Sequence, residues 1–244
     1  MSERAINEIY SADAMRLLKV GLTTVLSLAL MLPSVATGQE KTAVQQNATQ
    51  PAQSELAALL KRAADIVSKL EIKDEAKAKR VLQIVSDQHR ALYEILSVRA
   101  AKLKALEDAA GEGKPSGEAV TAVYVEAKEK LVPLHKQFLV RLSTELTPEQ
   151  VVQVKDGMTD GVLPITYRNF CDMVPNMTAE QKAHIMSLLV EARENAMDTI
   201  TDEQRHQWFA KYKGIINNYI VAQGYDFKRL SREWAQRTGN TKGP

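Results

Sequence analysis

Apolar residues recur at intervals of three and four along most of the chain from residue 54 to residue 237, and this spacing limits the fold more than any other feature. Leu56, Leu59 and Ala63 begin the pattern, and Ser54 stands where a helix cap belongs. A helix turns once every 3.6 residues, so this spacing gives each helix one apolar face. We find no alternating pattern of convincing strand length. The sequence therefore predicts an all-α fold.

Two long helices are predicted around one clear turn. The turn is the segment 111–117, which contains three glycines and a proline. A helix from about Asp74 to about Ala109 precedes the turn, and another begins near Ser116. Pro133 falls inside the second helix, so we expect a kink or break there. Because a short turn joins them, the two helices should form an antiparallel hairpin.

Shorter helices are predicted in the second half of the chain. The segments 147–150 and 178–181 each place Thr at a cap position and Gln three residues later, which is the pattern of a capping box. Further helices are expected near 165–173, over 202–222 and from Asp226 onward. The predicted architecture is an antiparallel helical bundle with a long N-terminal helical hairpin and shorter C-terminal helices.

The N-terminus has the pattern of an export signal. Arg16 and Lys19 precede the apolar run Val20–Leu32, which Pro33 and small residues follow. The run is shorter than the ~20 residues that span a bilayer as a helix. We therefore expect an exported protein, periplasmic or secreted, with no membrane span after signal cleavage.

The boundaries of the signal leave two alternatives open. Cleavage is expected between Ala36 and Gly38, and the true start is either Met1 or Met15, since a signal peptide starting directly before Arg16 would be conventional. The residues after the signal are rich in Gln, Ala, Thr and Asn and lack a periodic apolar face, which is typical of disorder. The predicted organisation is a signal peptide over 1–38, a disordered linker over 39–53 and a helical domain over 54–244.

Charge and motifs exclude several functions. The formal net charge is +2, so we expect no strong attraction to nucleic acid. Cys171 is the one cysteine, so no intramolecular disulfide can form. The sequence has no nucleophile elbow, phosphate loop or dinucleotide fingerprint, and we predict no cofactor.

His89 and His135 are the candidate metal ligands. Each lies on the apolar stripe of one hairpin helix, and both are about equally far from the turn near Glu112. A regular antiparallel hairpin therefore places them level, where they could share a metal ion. The alternative is two separately satisfied core histidines. No Glu-x-x-His motif or cysteine cluster supplies further ligands.

The C-terminal helices carry the candidate ligand-binding residues. Aromatic rings, amides and lysines together are typical of a site for a glycan or a carboxylated ligand. The residues concerned are Trp208, Lys211, Tyr212, Asn217 and Asn218. The alternative is that the aromatic residues simply follow the spacing of a core-facing helix.

Charged residues elsewhere offer weaker candidates. Arg168 and Asp172 lie in a connection rich in glycine and proline, where long segments often serve function, and we add them to the ligand-binding set. Glu191, Glu194 and Asp198 form an acidic ridge at helical spacing, which favours a solvated face. A polysaccharide-acting enzyme would need Asp172 to converge with Glu191 or Glu194 in a cleft.

Two family resemblances follow from these residues. The segments 146–150 and 177–181 resemble the repeated Leu-Thr-x-x-Gln motif of the periplasmic helical chaperones Spy and CpxP. The segments 146–158, 191–198, 211–219 and 224–226 resemble a family of secreted bacterial proteins, number 3826 in the domain-of-unknown-function series. The second resemblance implies an exported helical protein associated with polysaccharide utilisation, and it carries over no catalytic residues.

The sequence thus favours a non-catalytic binding or accessory protein. Its expected partner is a glycan fragment or another protein, and the oligomeric state stays open. The alternatives are a periplasmic chaperone-like protein, which would present an apolar surface to unfolded chains, and a polysaccharide-acting enzyme.

Overall fold

The computed structural model describes residues 40–239 of the chain, with side chains described from residue 53 onward. All regular structure in this range is helical, and no strand occurs within it. The prediction of an all-α fold is therefore confirmed. The helices are α1 (Glu40–Ser68), α2 (Glu75–Ala110), α3 (Gly117–Glu145), α4 (Pro148–Met158), α5 (Val162–Met173), α6 (Ala179–Ala196), α7 (Asp202–Ala222) and α8 (Phe227–Thr238).

The N-terminal boundaries differ from those expected. The signal peptide predicted over 1–38 lies outside the described residues. The segment 39–53, expected as a disordered linker, is helical from Glu40 onward as the first part of α1. Its Ala, Gln, Glu and Lys residues have good helix propensity, and adding turns to an existing helix costs far less than starting one. The absence of an apolar face therefore does not stop the helix.

Both predicted capping boxes are present and fix where α4 and α6 begin. The Thr147 hydroxyl oxygen accepts from the Gln150 amide nitrogen at 3.3 Å, and the Gln150 side chain accepts from the Thr147 amide nitrogen at 3.2 Å. The corresponding distances for Thr178 and Gln181 are 3.2 and 2.9 Å. These bonds satisfy amide donors that the first helical turn leaves free.

The predicted hairpin is present, but the break expected at Pro133 does not occur. Helix α3 runs continuously from Gly117 to Glu145 with Pro133 inside it. Pro133 lies on the exposed side of α3, so water can satisfy the carbonyl that lacks a partner one turn earlier. The helix therefore tolerates the missing amide donor.

The described chain divides into two compact units. The hairpin-tip unit comprises residues 40–58 and 93–133, and the core unit comprises residues 59–92 and 134–239. In the hairpin-tip unit, Lys102 pairs with Glu126, and the Arg99 guanidinium lies 5.4 Å from the Tyr124 ring centroid. These contacts join α2 to α3 within that unit.

In the core unit, the hairpin helices pair in antiparallel register. The Arg80 guanidinium donates to the two Glu145 carboxylate oxygens at 2.8 and 3.0 Å, and Arg141 donates to Asp87 at 2.9 Å. The residue number rises along α2 as it falls along α3. The antiparallel direction predicted from the turn is confirmed.

The apolar core of the core unit lies among the short helices. Helix α6 packs against α4, α5 and α7, and α8 packs against α5 and α7. Their buried side chains form one cluster: Leu163, Phe170, Met173, Val174, Met177, Ile185, Leu189, Ala192, Ala196, Phe209, Tyr212, Ile216, Ile220 and Trp234. This packing orders the faces of α6, α7 and α8 on which the candidate residues lie.

Candidate functional site

His135 lies between two carboxylates, Glu194 in the last turn of α6 and Asp198 two residues after the helix ends. Its Nδ1 is 3.0 Å from Asp198 Oδ1, and its Nε2 is 3.3 Å from Glu194 Oε2. Glu194 and Asp198 are four residues apart, so both can approach the same side chain of α3. The imidazole is therefore held at both ring nitrogens.

The two carboxylates keep His135 protonated. The hydrogen bond to Asp198, and after it the bond to Glu194, raises the pKa of His135 to about 9, although burial works against this. Both ring nitrogens of an imidazolium are donors. At neutral pH the side chain is therefore a cation with no free lone pair, and it cannot act as a general base.

Glu194 accepts hydrogen bonds from three cations. Burial alone would raise its carboxyl pKa, but the bonds from His135 and Lys155, with the charges of Lys155 and Arg193, hold the pKa at about 2. The Lys155 ammonium lies 2.9 Å from Oε2, and Nε and Nη2 of Arg193 lie 3.3 Å from Oε1. Glu194 is therefore the centre of the cluster.

Arg193 extends this cluster to helix α4. Its guanidinium Nη1 lies 2.9 Å from Asp156 Oδ1, and its side chain is only 7% exposed. We call the six side chains the His135 network: His135, Lys155, Asp156, Arg193, Glu194 and Asp198. Three formal positive charges balance three negative ones, as buried charge requires. The network ties α3, α4 and α6 together.

The metal site predicted for His89 and His135 receives no support from their surroundings. His89 is buried, its Nδ1 lies 2.9 Å from the Val85 carbonyl oxygen, and burial lowers its pKa. The carboxylate partners of His135 are absent from the contacts of His89. Across the described residues, no three or more His, Cys, Asp or Glu side chains are grouped to hold a metal ion. A metal ion shared by His89 and His135 therefore stays a prediction, without further ligands to support it.

A second charge network closes the turn after α4. Arg62 donates to Asp160 at 2.7 Å and to the carbonyl oxygens of Gly157 and Met158 at 3.1 Å each. Arg205, which is buried, donates to Asp160 at 3.1 Å. A cation at the C-terminal carbonyls of a helix is electrostatically favourable. These residues therefore stabilise the α4–α5 turn, where Asp160 has a positive φ of 58°.

Asp172, predicted as a ligand-binding residue, fastens α8 to α5. The indole Nε1 of Trp234 donates to Asp172 Oδ2 at 2.8 Å. Arg237 Nη2 lies 3.0 Å from the same carboxylate oxygen and 3.0 Å from the Asp172 carbonyl oxygen. Arg168 lies one turn earlier on α5 and is exposed. The two residues belong to the α5–α8 side of the core unit.

Trp208 and Lys211 lie together on an outer face of α7. The Lys211 ammonium is 5.6 Å from the Trp208 ring centroid, a cation–π distance. Ile215, which is 40% exposed, follows Lys211 by one turn, and Asn218 follows Ile215 by another. Trp208, Lys211, Ile215 and Asn218 therefore share one stripe.

Tyr212 borders this stripe with a buried ring. Its hydroxyl donates to Glu191 Oε2 at 3.2 Å and accepts from Asn195 Nδ2 at 3.4 Å. Burial, and then the Glu191 charge, raises the pKa of Tyr212 to about 12. The ring centroids of Trp208 and Tyr212 are 6.5 Å apart. Tyr212 thus bonds to an acid and an amide of α6 through its hydroxyl, while its ring lies near the Trp208 ring.

A second ring pair lies farther along the same two helices. The rings of His184 on α6 and Tyr219 on α7 have centroids 4.3 Å apart. We call the surface from this pair to Trp208 the α6–α7 seam: His184 and Glu191 on α6 with Trp208, Lys211, Ile215 and Tyr219 on α7. It combines aromatic, carboxylate and ammonium groups.

The predicted ligand residues do not form one site. Asn217 lies two and a half turns from Trp208, which places it on the other side of α7. Its side-chain oxygen is buried and has no hydrogen-bond partner among residues 40–239. Arg168 and Asp172 lie on α5. Of the predicted ligand-binding residues, Trp208, Lys211 and Asn218 therefore lie on the α7 stripe, and Tyr212 lies at its border.

Sequence reasoning missed most of the His135 network. The acidic ridge was visible, but it was interpreted as a solvated face, whereas Glu194 and Asp198 are partly buried. Lys155 and Arg193 look like ordinary surface residues in the sequence. The available signal was a histidine on an apolar stripe, which needs a polar partner when it is buried.

The hollow in the hairpin-tip unit is too small for a small-molecule site. It lies beside Arg99 and Glu126 and has a volume of about 10 Å³. Sites for small molecules usually enclose roughly 300–1,000 Å³. A ligand at this hollow would therefore stay on the surface.

These features define an all-helical class of protein with internally paired charges. Within residues 40–239, no helix combines the length and the apolar character that a membrane span requires. The model of the family described as a protein of unknown function, DUF3826, matches residues 56–239, so the chain belongs to this family. The family resemblance predicted from the sequence is confirmed. No curated protein matches the chain.

Proposed function

We propose that this protein is an exported, non-catalytic binding protein that holds a glycan fragment on the α6–α7 seam. The observation that carries the proposal is the contact of Lys211 with Trp208 on a face that Ile215 and Asn218 continue. Sugars present apolar ring faces that stack on aromatic rings and hydroxyls that need polar partners. The seam offers both kinds of group on an open surface.

The Glu191 carboxylate of the seam is held in place before a ligand arrives. The Glu191 carboxylate is held by the Tyr212 hydroxyl at 3.2 Å, and the Asn195 amide donates to the Glu191 carbonyl oxygen at 2.7 Å. Groups that are already ordered lose little entropy on binding. This arrangement supports a binding role for a surface that has no deep cleft.

The carboxylates considered for glycosidic catalysis have other partners. Asp172 is engaged by Trp234 and Arg237, and Glu194 by the cations of the His135 network. A glycosidase acid must hold a proton near neutral pH, whereas the pKa of Glu194 is about 2. These contacts favour the non-catalytic alternative. Turnover that survives in the double variant Asp172→Asn/Glu194→Gln would dismiss the enzyme hypothesis for these residues.

Calorimetric titration against a panel of neutral and acidic oligosaccharides tests glycan binding. Trp208→Ala should weaken the affinity about twofold to twelvefold, because an aromatic stacking contact contributes about 0.5–1.5 kcal/mol. Ile165→Ala is the matched control, since Ile165 is 48% exposed on α5 and lies outside the seam. Equal affinities for wild type and Trp208→Ala would overturn the seam as the binding site.

Export is part of the same proposal. Its support is the basic n-region, the short apolar run and the small residues over 1–38 of the sequence. N-terminal sequencing of the protein recovered from the producing cells tests this. A mature terminus between residues 37 and 39 is expected, whereas an intact leader in the cytosolic fraction would contradict export.

The exposed valines of the hairpin-tip unit favour a second candidate, a chaperone-like function. Val98, Val125 and Val132 are 48%, 44% and 43% exposed. Exposed apolar side chains are what a protein that holds unfolded chains presents. Suppression of a client's aggregation at substoichiometric ratios would support this function, and its loss in Val125→Ser/Val132→Ser would locate it.

A further inference from the structure

The Trp208 ring of the α6–α7 seam already has an occupant, which the same helix supplies. The Lys211 ammonium lies over this ring, 5.6 Å from its centroid. Lys211 is exposed, whereas Trp208 is half-buried and packs against the apolar cluster of the core unit. An exposed ammonium can cover only a part of the ring that solvent also reaches. The covered face is therefore the one on which a sugar would stack.

Helix geometry produces this contact. Lys211 follows Trp208 by three residues on α7, and long side chains on a helix point back towards its N-terminus, over the preceding turn. The carbon stem of the lysine lies along that turn and brings the ammonium to the ring. The ammonium and the electron-rich face of the indole then attract each other. The contact is therefore local and needs no residue from another helix.

The second ring contact of the seam is of a different kind. The rings of His184 and Tyr219 come from α6 and α7, and their centroids are 4.3 Å apart. A ligand that separated these rings would break a contact between two packed helices. Lys211 has a flexible four-carbon stem on the same helix as Trp208, so it can move away without changing how α7 packs. Trp208 is therefore the ring that a ligand can uncover.

We propose that Lys211 competes with the ligand for the Trp208 ring, so that a glycan must displace the ammonium before it stacks there. This inference rests on the proposed function and concerns the regulation of the same site. A sugar and an ammonium use the same face of the indole, and both cannot occupy it at once. Lys211 therefore lowers the affinity of the seam for neutral glycans and excludes ligands that gain little from the ring.

Fluorescence quenching by acrylamide tests, without any glycan, whether Lys211 covers the ring. The chain has two tryptophans, and Trp234 is only 4% exposed, so this neutral quencher reports on Trp208. Lys211→Ala should raise the quenching constant, because alanine leaves the ring open. Lys136→Ala is the matched control, since it removes the same charge from an exposed position on α3 and should leave quenching unchanged. Equal quenching constants for wild type and Lys211→Ala would overturn the inference.

Calorimetric titration with xylohexaose and mannohexaose tests the consequence for binding. Both oligosaccharides are neutral, so the ammonium does not attract them through its charge. Lys211→Ala should bind about twofold to fivefold more tightly than wild type, which corresponds to about 0.5–1 kcal/mol for an exposed cation–π contact. Lys211→Arg should bind no more tightly than wild type, because a guanidinium also stacks on aromatic rings. Lys136→Ala should keep the wild-type affinity.

The outcomes separate this inference from the proposed function. Unchanged or weaker binding in Lys211→Ala, with binding still reduced in Trp208→Ala, would overturn the inference and leave the seam as the site. Failure of both oligosaccharides to bind wild type and Lys211→Ala would also overturn the inference. Failure of the whole panel, neutral and acidic, would overturn the proposed function as well. Circular dichroism should show the Lys211 variants folded, because alanine and arginine both favour helix at this exposed position.

Discussion

His135 Nδ1 lies 3.0 Å from the carboxylate of Asp198, a residue 63 positions later in the chain. This contact joins α3 to the end of α6 inside the core unit, and Glu194 completes it from the other ring nitrogen. The pair is a fixed ion pair with partly buried partners. The His135 network is therefore a structural lock between α3, α4 and α6.

Removing the central acid should damage this lock. Glu194→Gln leaves His135, Lys155 and Arg193 without their shared anion in a partly buried setting, and breaking such a network costs about 3 kcal/mol. Urea unfolding measures the loss. Glu191→Gln is the control, since Glu191 is exposed and its amide can still accept from Tyr212, so a change under about 0.5 kcal/mol is expected. Equal losses in the two variants would contradict the account.

Stability should also depend on pH above neutrality. The pKa of His135 is raised from 6.5 to about 9, so its contribution is complete below pH 6.5 and is lost as the pH rises to about 9. The loss is at most about 3 kcal/mol by linkage. Unfolding measured from pH 6 to pH 9.5 should show this decline in wild type, and His135→Gln should flatten it. An unchanged slope in the variant would assign the decline to another group.

At acidic pH, the pH dependence of stability has the opposite sign. The pKa of Glu194 is lowered from 4.5 to about 2, so its contribution is present above pH 4.5 and disappears as the pH falls towards 2. Acid unfolding followed by circular dichroism should therefore begin at higher pH in Glu194→Gln than in wild type. If both proteins unfold at the same pH, Glu194 does not stabilise the fold through its charge.

The tie between α5 and α8 can be tested separately. Trp234→Phe keeps a ring in the core but removes the donor to Asp172, at a cost of about 1 kcal/mol. Amide hydrogen exchange should speed up in α8 more than in α6. Glu233→Gln is a control on the same helix, because Glu233 is exposed and pairs within α8. Uniform acceleration over both helices would show a global effect.

Local chemistry made much of the fold predictable. Thr147 and Thr178 each act on an amide three residues away, so the sequence alone contains both capping boxes. The turn over 111–117 likewise determines the hairpin through adjacent residues. The family resemblance was also recognisable, because it rests on contiguous segments of the sequence. These features need no knowledge of tertiary contacts.

The candidate site was far less predictable, because its contacts join distant segments. Lys155 and Glu194 meet at 2.9 Å across 39 residues, and Trp234 reaches Asp172 across 62. No local pattern distinguishes these acids from solvated ones. Asn217 was grouped with Trp208 by proximity in sequence, although the helix turns it to another side. Apolar periodicity identifies which face of a helix is buried, but it does not identify the residues that pack against that face.

A pH titration of the His135 imidazole by NMR measures whether the two carboxylates hold its proton. We expect a midpoint near pH 9, with His135→Gln identifying the signal, because the carboxylates of Asp198 and Glu194 stabilise the protonated ring. A midpoint at or below 6.5 would contradict it. Such a value would mean that the imidazole is neutral at physiological pH and free to act as a base or a metal ligand.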